Sequence, residues 1–439
     1  MIALELDAIA DLCSGALLHQ PGSATVTGVT TDSRRVEHGD LFVAVGHGRD
    51  YVDEALAAGA TAALVPDDAY AALAAIAGAV RDRVRATVVA ITGSVGKTST
   101  KDILAGLCRP HRSTVAAEAS HNNEIGVPLT LARMSEHTEI AIVEMGMRGA
   151  NQLTELCAFA RPAIGIITAI GPAHLEQLGS VENVARAKAE LITGLEPDGA
   201  AVVPASEPLL EGHLTRTDLE YLRFGPGGDV SLRSFEPADD GARLDVDVQD
   251  GQVQLQVGFT SRHNADNLLA ALAAYVALGL PLDRLHEGVP GIELSPLRDQ
   301  EQALPGGGLL LNDCYNANPL SMRAALTHLE RRSAGRRRVA ILGDMAELGA
   351  GAAAFHREAG AMAARVGVEV LIAVGAEARA YLDGCQEADA SVAVSWEPAV
   401  EGGIEAACAA VQPGDCVLIK GSRAVGLEAV ARTLTNEPG

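Results

Sequence analysis

The segment Thr92-Gly93-Ser94-Val95-Gly96-Lys97-Thr98 constrains this chain most, because it follows the apolar run 88–91 and precedes a helix-like stretch. An apolar strand that passes through a glycine turn into a helix start makes a phosphate cradle. The glycines let backbone N–H groups turn toward a polyphosphate, Lys97 offsets its terminal charge, and the Thr98 hydroxyl is placed to ligate Mg²⁺. Ile91 stands where the longer form of the loop begins with glycine, so the motif is a shortened one. Strand, turn and helix in this order commit the region to a largely parallel sheet with helices on its faces.

The same alternation recurs along the chain. Apolar runs at 88–91, 140–143, 164–168 and 200–203, each followed by turn chemistry and helix periodicity, predict one sheet; runs at 309–311, 339–342, 370–374 and 417–419 predict another. Ahead of them, strands at 40–45 and 62–65 with helices at 52–58 and 70–80 predict a small α/β unit closed by a basic turn, Arg81-Asp82-Arg83. Between 229 and 257 the period changes to two, as in Leu244-Asp245-Val246-Asp247-Val248, which reads as a hairpin or meander. A helix at 264–278 leads into a stretch punctuated by Pro281, Pro290 and Pro296. The expectation is an α/β chain of three domains, 1–82, 83–295 and 296–439, and 439 residues at 48% hydrophobic content suffice for their cores.

Charge narrows the function. With 34 Lys+Arg against 57 Asp+Glu the net charge is −23, which repels polyanions and argues against nucleic acid or an anionic membrane as partner. The seven cysteines are odd in number, widely spaced and never C-x-x-C, so they read as reduced core thiols rather than a disulfide framework or zinc knuckle. Glu5 and Asp7 lie in the first apolar turns without a basic leader, and no run reaches the roughly 18 apolar residues of a membrane span. A cytoplasmic protein without membrane insertion is expected.

Several residues outside the cradle bear chemistry. Glu144 ends the strand at 140–143, so its carboxylate emerges at the carboxyl edge of the sheet, where parallel sheets place ligands and a magnesium site would be completed; a solvated strand-end acid is the plainer account. His174 lies just past another strand end and is a ligand candidate on position alone. Lys188 interrupts the inward stripe Val181, Val184, Leu191, Ile192, Leu195 of a helix. It either snorkels from the stripe's edge or is a desolvated amine with a lowered pKa, nucleophilic toward CO₂ and able to form a carbamate that ligates a cation. Arg262-His263-Asn264-Ala265-Asp266-Asn267 begins a helix, where capping and base recognition compete. In Asn312-Asp313-Cys314-Tyr315-Asn316-Ala317-Asn318-Pro319 capping accounts for Asn318, while the density of Asp, Tyr and Asn at a sheet edge resembles a hydroxyl- and base-binding loop. The run Arg331-Arg332 to Arg336-Arg337-Arg338 reads as a solvated helix end.

Taken together, these residues resemble the ATP-dependent Mur ligases of peptidoglycan precursor synthesis over nearly the whole chain. The shortened loop 92–98 is that family's form, and Thr31-Asp32-Ser33-Arg34, the run from His121-Asn122-Asn123 to Pro128, Ala173-His174-Leu175-Glu176, Ala187-Lys188-Ala189-Glu190 and Lys420-Gly421-Ser422-Arg423 match further motifs. Tyr315-Asn316-Ala317-Asn318-Pro319 and the run from Leu342-Gly343-Asp344 to Gly349 look like the branch that adds D-alanyl-D-alanine to UDP-MurNAc-tripeptide. The resemblance implies a UDP-binding N-terminal domain, a central ATPase domain and a C-terminal Rossmann-like domain. It implies that Gly93, Ser94, Gly96, Lys97, Thr98 and Ser99 hold ATP phosphates, that Thr98 and Glu144 bind one Mg²⁺, and that Glu144, His174 and carbamylated Lys188 bind a second. Lys97, Glu144, His174 and Lys188 form the expected catalytic set. Asn267 would face adenine; Arg298, Asp313, Tyr315 and Asn316 would close over the nucleotide; Asp32, Ser33, Arg34, Asn122 and Asn123 would bind the UDP-muramyl-peptide. A monomer is expected. The loop Pro296-Leu297-Arg298-Asp299-Gln300 departs from the family pattern around its basic residue.

A phosphate-loop switch or motor would hydrolyse nucleotide without an amino-acid substrate and would not need Lys188 in an apolar stripe. A diaminopimelate-adding sister would carry Asp-Asn-Pro-Arg after a strand of the last domain, where this chain has Val374-Gly375-Ala376-Glu377. A folate polyglutamate ligase would lack the domain with residues 31–34.

Overall fold

The computed structural model describes residues 1–19 and 24–436. The phosphate loop leaves strand Thr87–Thr92, inside a nine-stranded sheet ordered Gly251–Val257, Gly241–Val248, Val230–Ala238, Glu220–Phe224, Ala200–Pro204, Ile164–Ile167, Thr87–Thr92, Ile140–Glu144, Thr114–Ala116. Pairing is parallel from Thr114–Ala116 as far as Val230–Ala238 and antiparallel in the meander beyond it. Thr87–Thr92 runs between Ile164–Ile167 and Ile140–Glu144, so successive connections leave to opposite sides of it. The carboxyl ends of these three strands therefore form the crevice where open parallel sheets take ligands.

Alternation along the phosphate-loop strand builds a core on each face. Val88 and Ala90 face one side with Val143, Ile167, Leu131 and Leu191; Val89 and Ile91 face the other with Ile103, Ile142, Leu268 and Leu272. The first core also takes in Leu4, Ile9, Leu73 and Ile76 of the N-terminal unit. That unit is a four-stranded sheet, Gly15–His19, Ala62–Pro66, Asp40–Val43 and Gly28–Thr30, with a short pair Leu4–Glu5 and Thr25–Val26. The third unit is a six-stranded sheet ordered Gln300–Leu304, Gly308–Asn312, Cys416–Lys420, Arg338–Gly343, Val370–Val374, Ala393–Glu397, parallel except for its first pair. The architecture is mixed α/β in three domains.

The buried strands lie where the apolar runs predict them. Strands at the sheet edges, among them Thr114–Ala116, Gln300–Leu304 and Ala393–Glu397, are partly exposed and carry no continuous apolar run, which hides them in the sequence. Arg81-Asp82-Arg83 is not a turn: it is the last turn of helix Ala69–Arg83, where Arg81 donates to the carbonyls of Ala160 and Val84. The arginine run is not simply solvated either. Arg332 pairs with Glu301 at 2.9 Å and Arg337 with Asp415 at 2.8 Å, because the helix end packs on the first strand of its sheet and the following loop runs beside the residue just ahead of the third. Six cysteines are buried thiols, but Cys408 is exposed on helix Val400–Ala410. Among the described residues no helix is long and apolar enough to cross a membrane.

Candidate functional site

The phosphate loop turns at two glycines with left-handed backbone. At Gly93 (φ +152°) a Cβ would run into the Thr168 hydroxyl, and at Gly96 (φ +83°) into the Asn267 side chain, so only glycine allows both turns and both contacts. Thr168 ties the loop to the next strand end by donating to Thr92 and, at 2.5 Å, to the Val95 carbonyl. The Ser94 hydroxyl both donates to and accepts from Gly171. Helix Lys97–Cys108 then starts with its first-turn N–H groups at the crevice, a ready anion site. Lys97 folds back onto the Gly93 carbonyl at 2.8 Å, and burial lowers its pKa against the pull of Glu144, with Arg298 lowering it further.

Glu144 lies fully buried at the end of its strand, which excludes the solvated-acid account. One oxygen accepts from the Thr98 hydroxyl at 2.7 Å and the other from the Asn122 amide at 2.8 Å. A hydroxyl and a carboxylate facing each other beside a phosphate cradle are the hard oxygen donors Mg²⁺ prefers, and Mg²⁺ sites take one or two protein ligands plus phosphate and water. The residues therefore fit the ion, and no ready cluster of three His, Cys, Asp or Glu ligands occurs among the described residues.

Lys188 is only 1% exposed in helix Val181–Thr193, so it does not snorkel. Among the described residues no carboxylate or carbonyl bonds to it. Burial, then the charge of Lys97, pushes its pKa well down. His174 caps the short helix Leu175–Leu178 with φ +55°, and its Nδ1 meets the Glu347 carboxylate. Burial, then Lys188, lowers its pKa against Glu347, which favours the neutral ring a cation would need. Lys97, Thr98, Glu144, His174 and Lys188 thus gather at one sheet edge.

The third unit reaches this edge through three loops. Arg298 lies over the Tyr315 ring at 4.2 Å, and the Tyr315 hydroxyl meets Ser120 of the central unit. Asp313 is bound by the buried Lys420 ammonium at 2.5 Å, and Asn316 is exposed with its side-chain oxygen on its own loop. Asn267 donates to Asn264 at 2.9 Å and rests against Gly96. Three contacts escape a sequence reading. Asn318 is a helix cap, as its position suggests, but also donates to the Ser94 carbonyl of the phosphate loop at 3.0 Å. Glu347 joins His174 and Arg148, although only its place in a recurring motif marks it. Lys101, one turn after Lys97, is buried and holds the Ala117 and Ala119 carbonyls at 2.8 and 2.9 Å, with no signal in the sequence.

A cleft of about 620 Å³ separates the N-terminal and central units, lined among others by Thr31, Asp32, Arg35, His121 and Asn123. Asp32 caps its turn and grips Arg34, which holds its carboxyl down at about 2. Ser33 is buried and donates to Glu54, Asn123 accepts from the backbone of Ile125 and Gly126, and Asn122 serves Glu144. The structure therefore brings Asp32 and Asn123 to the cleft wall, with Arg35 rather than Arg34 beside them.

Fold and site define a phosphate-loop enzyme built on parallel sheets. Residues 91–275 match the Mur ligase middle domain and residues 301–423 the glutamate ligase domain of Mur ligases. The UDP-N-acetylmuramoyl-tripeptide–D-alanyl-D-alanine ligase of Bacillus subtilis is 30% identical, with 100% of each chain covered. The crystal structure of a MurF from Acinetobacter baumannii superposes with a TM-score of 0.87 at 26% identity over 99% of each chain. That of a MurF from Thermotoga maritima in complex with ADP gives 0.80 at 26% identity, over 94% of this chain and 98% of the other. The chain belongs to the Mur ligase family, whose members are ATP-dependent ligases.

Proposed function

We propose that this chain joins D-alanyl-D-alanine to UDP-MurNAc-tripeptide with ATP as energy source, making the UDP-MurNAc-pentapeptide of cell-wall synthesis. The observation that carries the reading is the convergence of the phosphate loop, the Thr98–Glu144 pair and the buried Lys188 at one crevice. It stands in a chain alike from end to end to ligases so named. The protein acts in the cytoplasm as a monomer, its N-terminal unit taking the UDP-muramyl end in the cleft beside Asp32 and Asn123.

The substrate carboxylate is a poor acyl donor. Its oxygen attacks the γ-phosphorus of ATP, the bond to the ADP oxygen breaks, and an acyl phosphate results. Lys97 and the helix N-terminus offset the repulsion between two anions. Thr98 and Glu144 would hold one Mg²⁺, and Glu144, His174 and a carbamylated Lys188 a second, which would supply charge neutralisation when bound. The carbamate follows from burial: a neutral amine attacks CO₂, the new N–C bond forms, the proton leaves to solvent, and the resulting anion sits beside Lys97. The amine of D-alanyl-D-alanine then attacks the acyl carbon, a tetrahedral intermediate forms and phosphate departs. Tyr315, Asn318 and Glu347, which bridge from the third unit, keep water from the acyl phosphate.

Phosphate release from ATP and Mg²⁺, with and without both substrates and with product mass read in parallel, tests the reading. Release that needs both and yields the UDP-pentapeptide is the expected result; release indifferent to both would return the chain to the switch or motor class.

A further inference from the structure

The linker between the central and third sheets is held in a conformation that ordinary residues resist. Leu297 (φ +62°) and Asp299 (φ +52°) are both left-handed and bracket Arg298. Such backbone persists only where surroundings overdetermine it. Here the determinant is the Asp299 carboxylate, whose side chain is 7% exposed. One oxygen accepts from the Ser261 hydroxyl and, at 2.9 Å, from the Asn264 amide, both at the start of helix Arg262–Ala277 in the phosphate-binding unit. Its other oxygen is 3.5 Å from the buried His328 ring of the third unit. Asn264 in turn accepts from Asn267, which touches the phosphate-loop glycine Gly96.

What this turn aims is Arg298. Its guanidinium lies over Tyr315 and near enough to Lys97 to act on its charge, yet its buried Nε donor has no hydrogen-bond partner among the described residues. A buried orphan donor beside the phosphate cradle marks a place for an anionic acceptor. We infer that Asp299 is a positioning residue of the nucleotide site that acts through Arg298: pinned by Ser261 and Asn264, it fixes the linker turn that directs the guanidinium at the nucleotide's phosphates. The inference rests on the ATP-binding reading of the crevice.

The test is calorimetric titration of the full chain with a non-hydrolysable ATP analogue and Mg²⁺, thermal midpoints being read alongside. Asp299→Gly keeps the left-handed backbone at no steric cost but loses the carboxylate. Asp299→Asn keeps both the backbone preference and one acceptor oxygen. Asp299→Gly should weaken binding about tenfold, Asp299→Asn less than about threefold, and Arg298→Ala with Asp299→Gly no further than Arg298→Ala alone, as for two residues acting in series. Wild-type affinity in Asp299→Gly, equal damage from Asp299→Asn, or additive losses in the double variant would overturn the inference while leaving the function intact. A wild-type chain that binds no nucleotide would overturn both.

Discussion

Lys188 shows how one residue can be legible in kind and illegible in degree. Its place in an apolar stripe is written in the sequence; that it is wholly buried beside another lysine is a fact of packing. An unfolded lysine keeps its proton to about pH 10.4, so between the lowered native pKa and that value the unfolded state holds more protons and stability rises with pH. In CO₂-free buffer Lys188→Met should therefore raise Tm at pH 7 by roughly 2–4 °C, and by less at pH 10. A lower Tm at pH 7 would mean the amine is paired in solution. In ordinary buffer Lys188→Ala should lose activity that bicarbonate does not restore, whereas short carboxylic acids partly do, and a ¹³C-carbamate NMR signal should vanish with it. Glu144→Gln removes the charge but not the size of the group between Thr98 and Asn122. Its kcat, followed by phosphate release, should fall about 10²- to 10³-fold with the fold retained; activity within tenfold of the parent would exclude Glu144 from the metal site.

Among the elements, helix Pro319–Arg332 has most to say about assembly. Asn318 closes a capping box with Ser321 at its start and reaches the Ser94 carbonyl of the other sheet. Asn318→Ala should cost about 1 kcal/mol in cap energy and also weaken nucleotide binding, a coupling that a cap alone would not produce. At the other end Arg332 holds Glu301. Burial would raise the Glu301 carboxyl, but His328, Arg332 and Thr260 overrule it and hold it down at about 2. A carboxylate with a lowered native pKa stabilises above its unfolded value near 4.5 and loses that contribution as pH falls toward about 2. Glu301→Gln should thus lower stability at pH 7 by about 1–3 kcal/mol in urea titrations, with the gap to the parent narrowing below about pH 4.5. The basic run at 331–338 suggests solvent because charge in sequence does not reveal its partner; Glu301 lies on strand Gln300–Leu304 and Asp415 just ahead of strand Cys416–Lys420, both brought back by the sheet.

For the whole molecule, polar side-chain bridges tie the third unit to the central one, among them Ser120 to Tyr315, Ser94 to Asn318, His174 and Arg148 to Glu347, and Ser261 and Asn264 to Asp299. Contacts this polar suit a unit that opens to admit substrates and closes to exclude water. Small-angle scattering should show compaction on adding the ATP analogue with UDP-MurNAc-tripeptide, and an unchanged profile would exclude closure as the water-excluding device. The two parallel sheets, the phosphate loop and the candidacy of Lys97, Thr98, Glu144, His174 and Lys188 are legible in the chain itself. Apolar runs, glycine turns and their spacing are local properties that backbone sterics and burial translate directly into strand, loop and helix. Folding alone places Glu144 between Thr98 and Asn122, leaves Lys188 without a carboxylate or carbonyl partner among the described residues, and brings Asp299 and Glu347 to the site. Those are contacts between residues up to 173 positions apart, and a chain carries no local record of which distant side chain will meet a given charge once loops close.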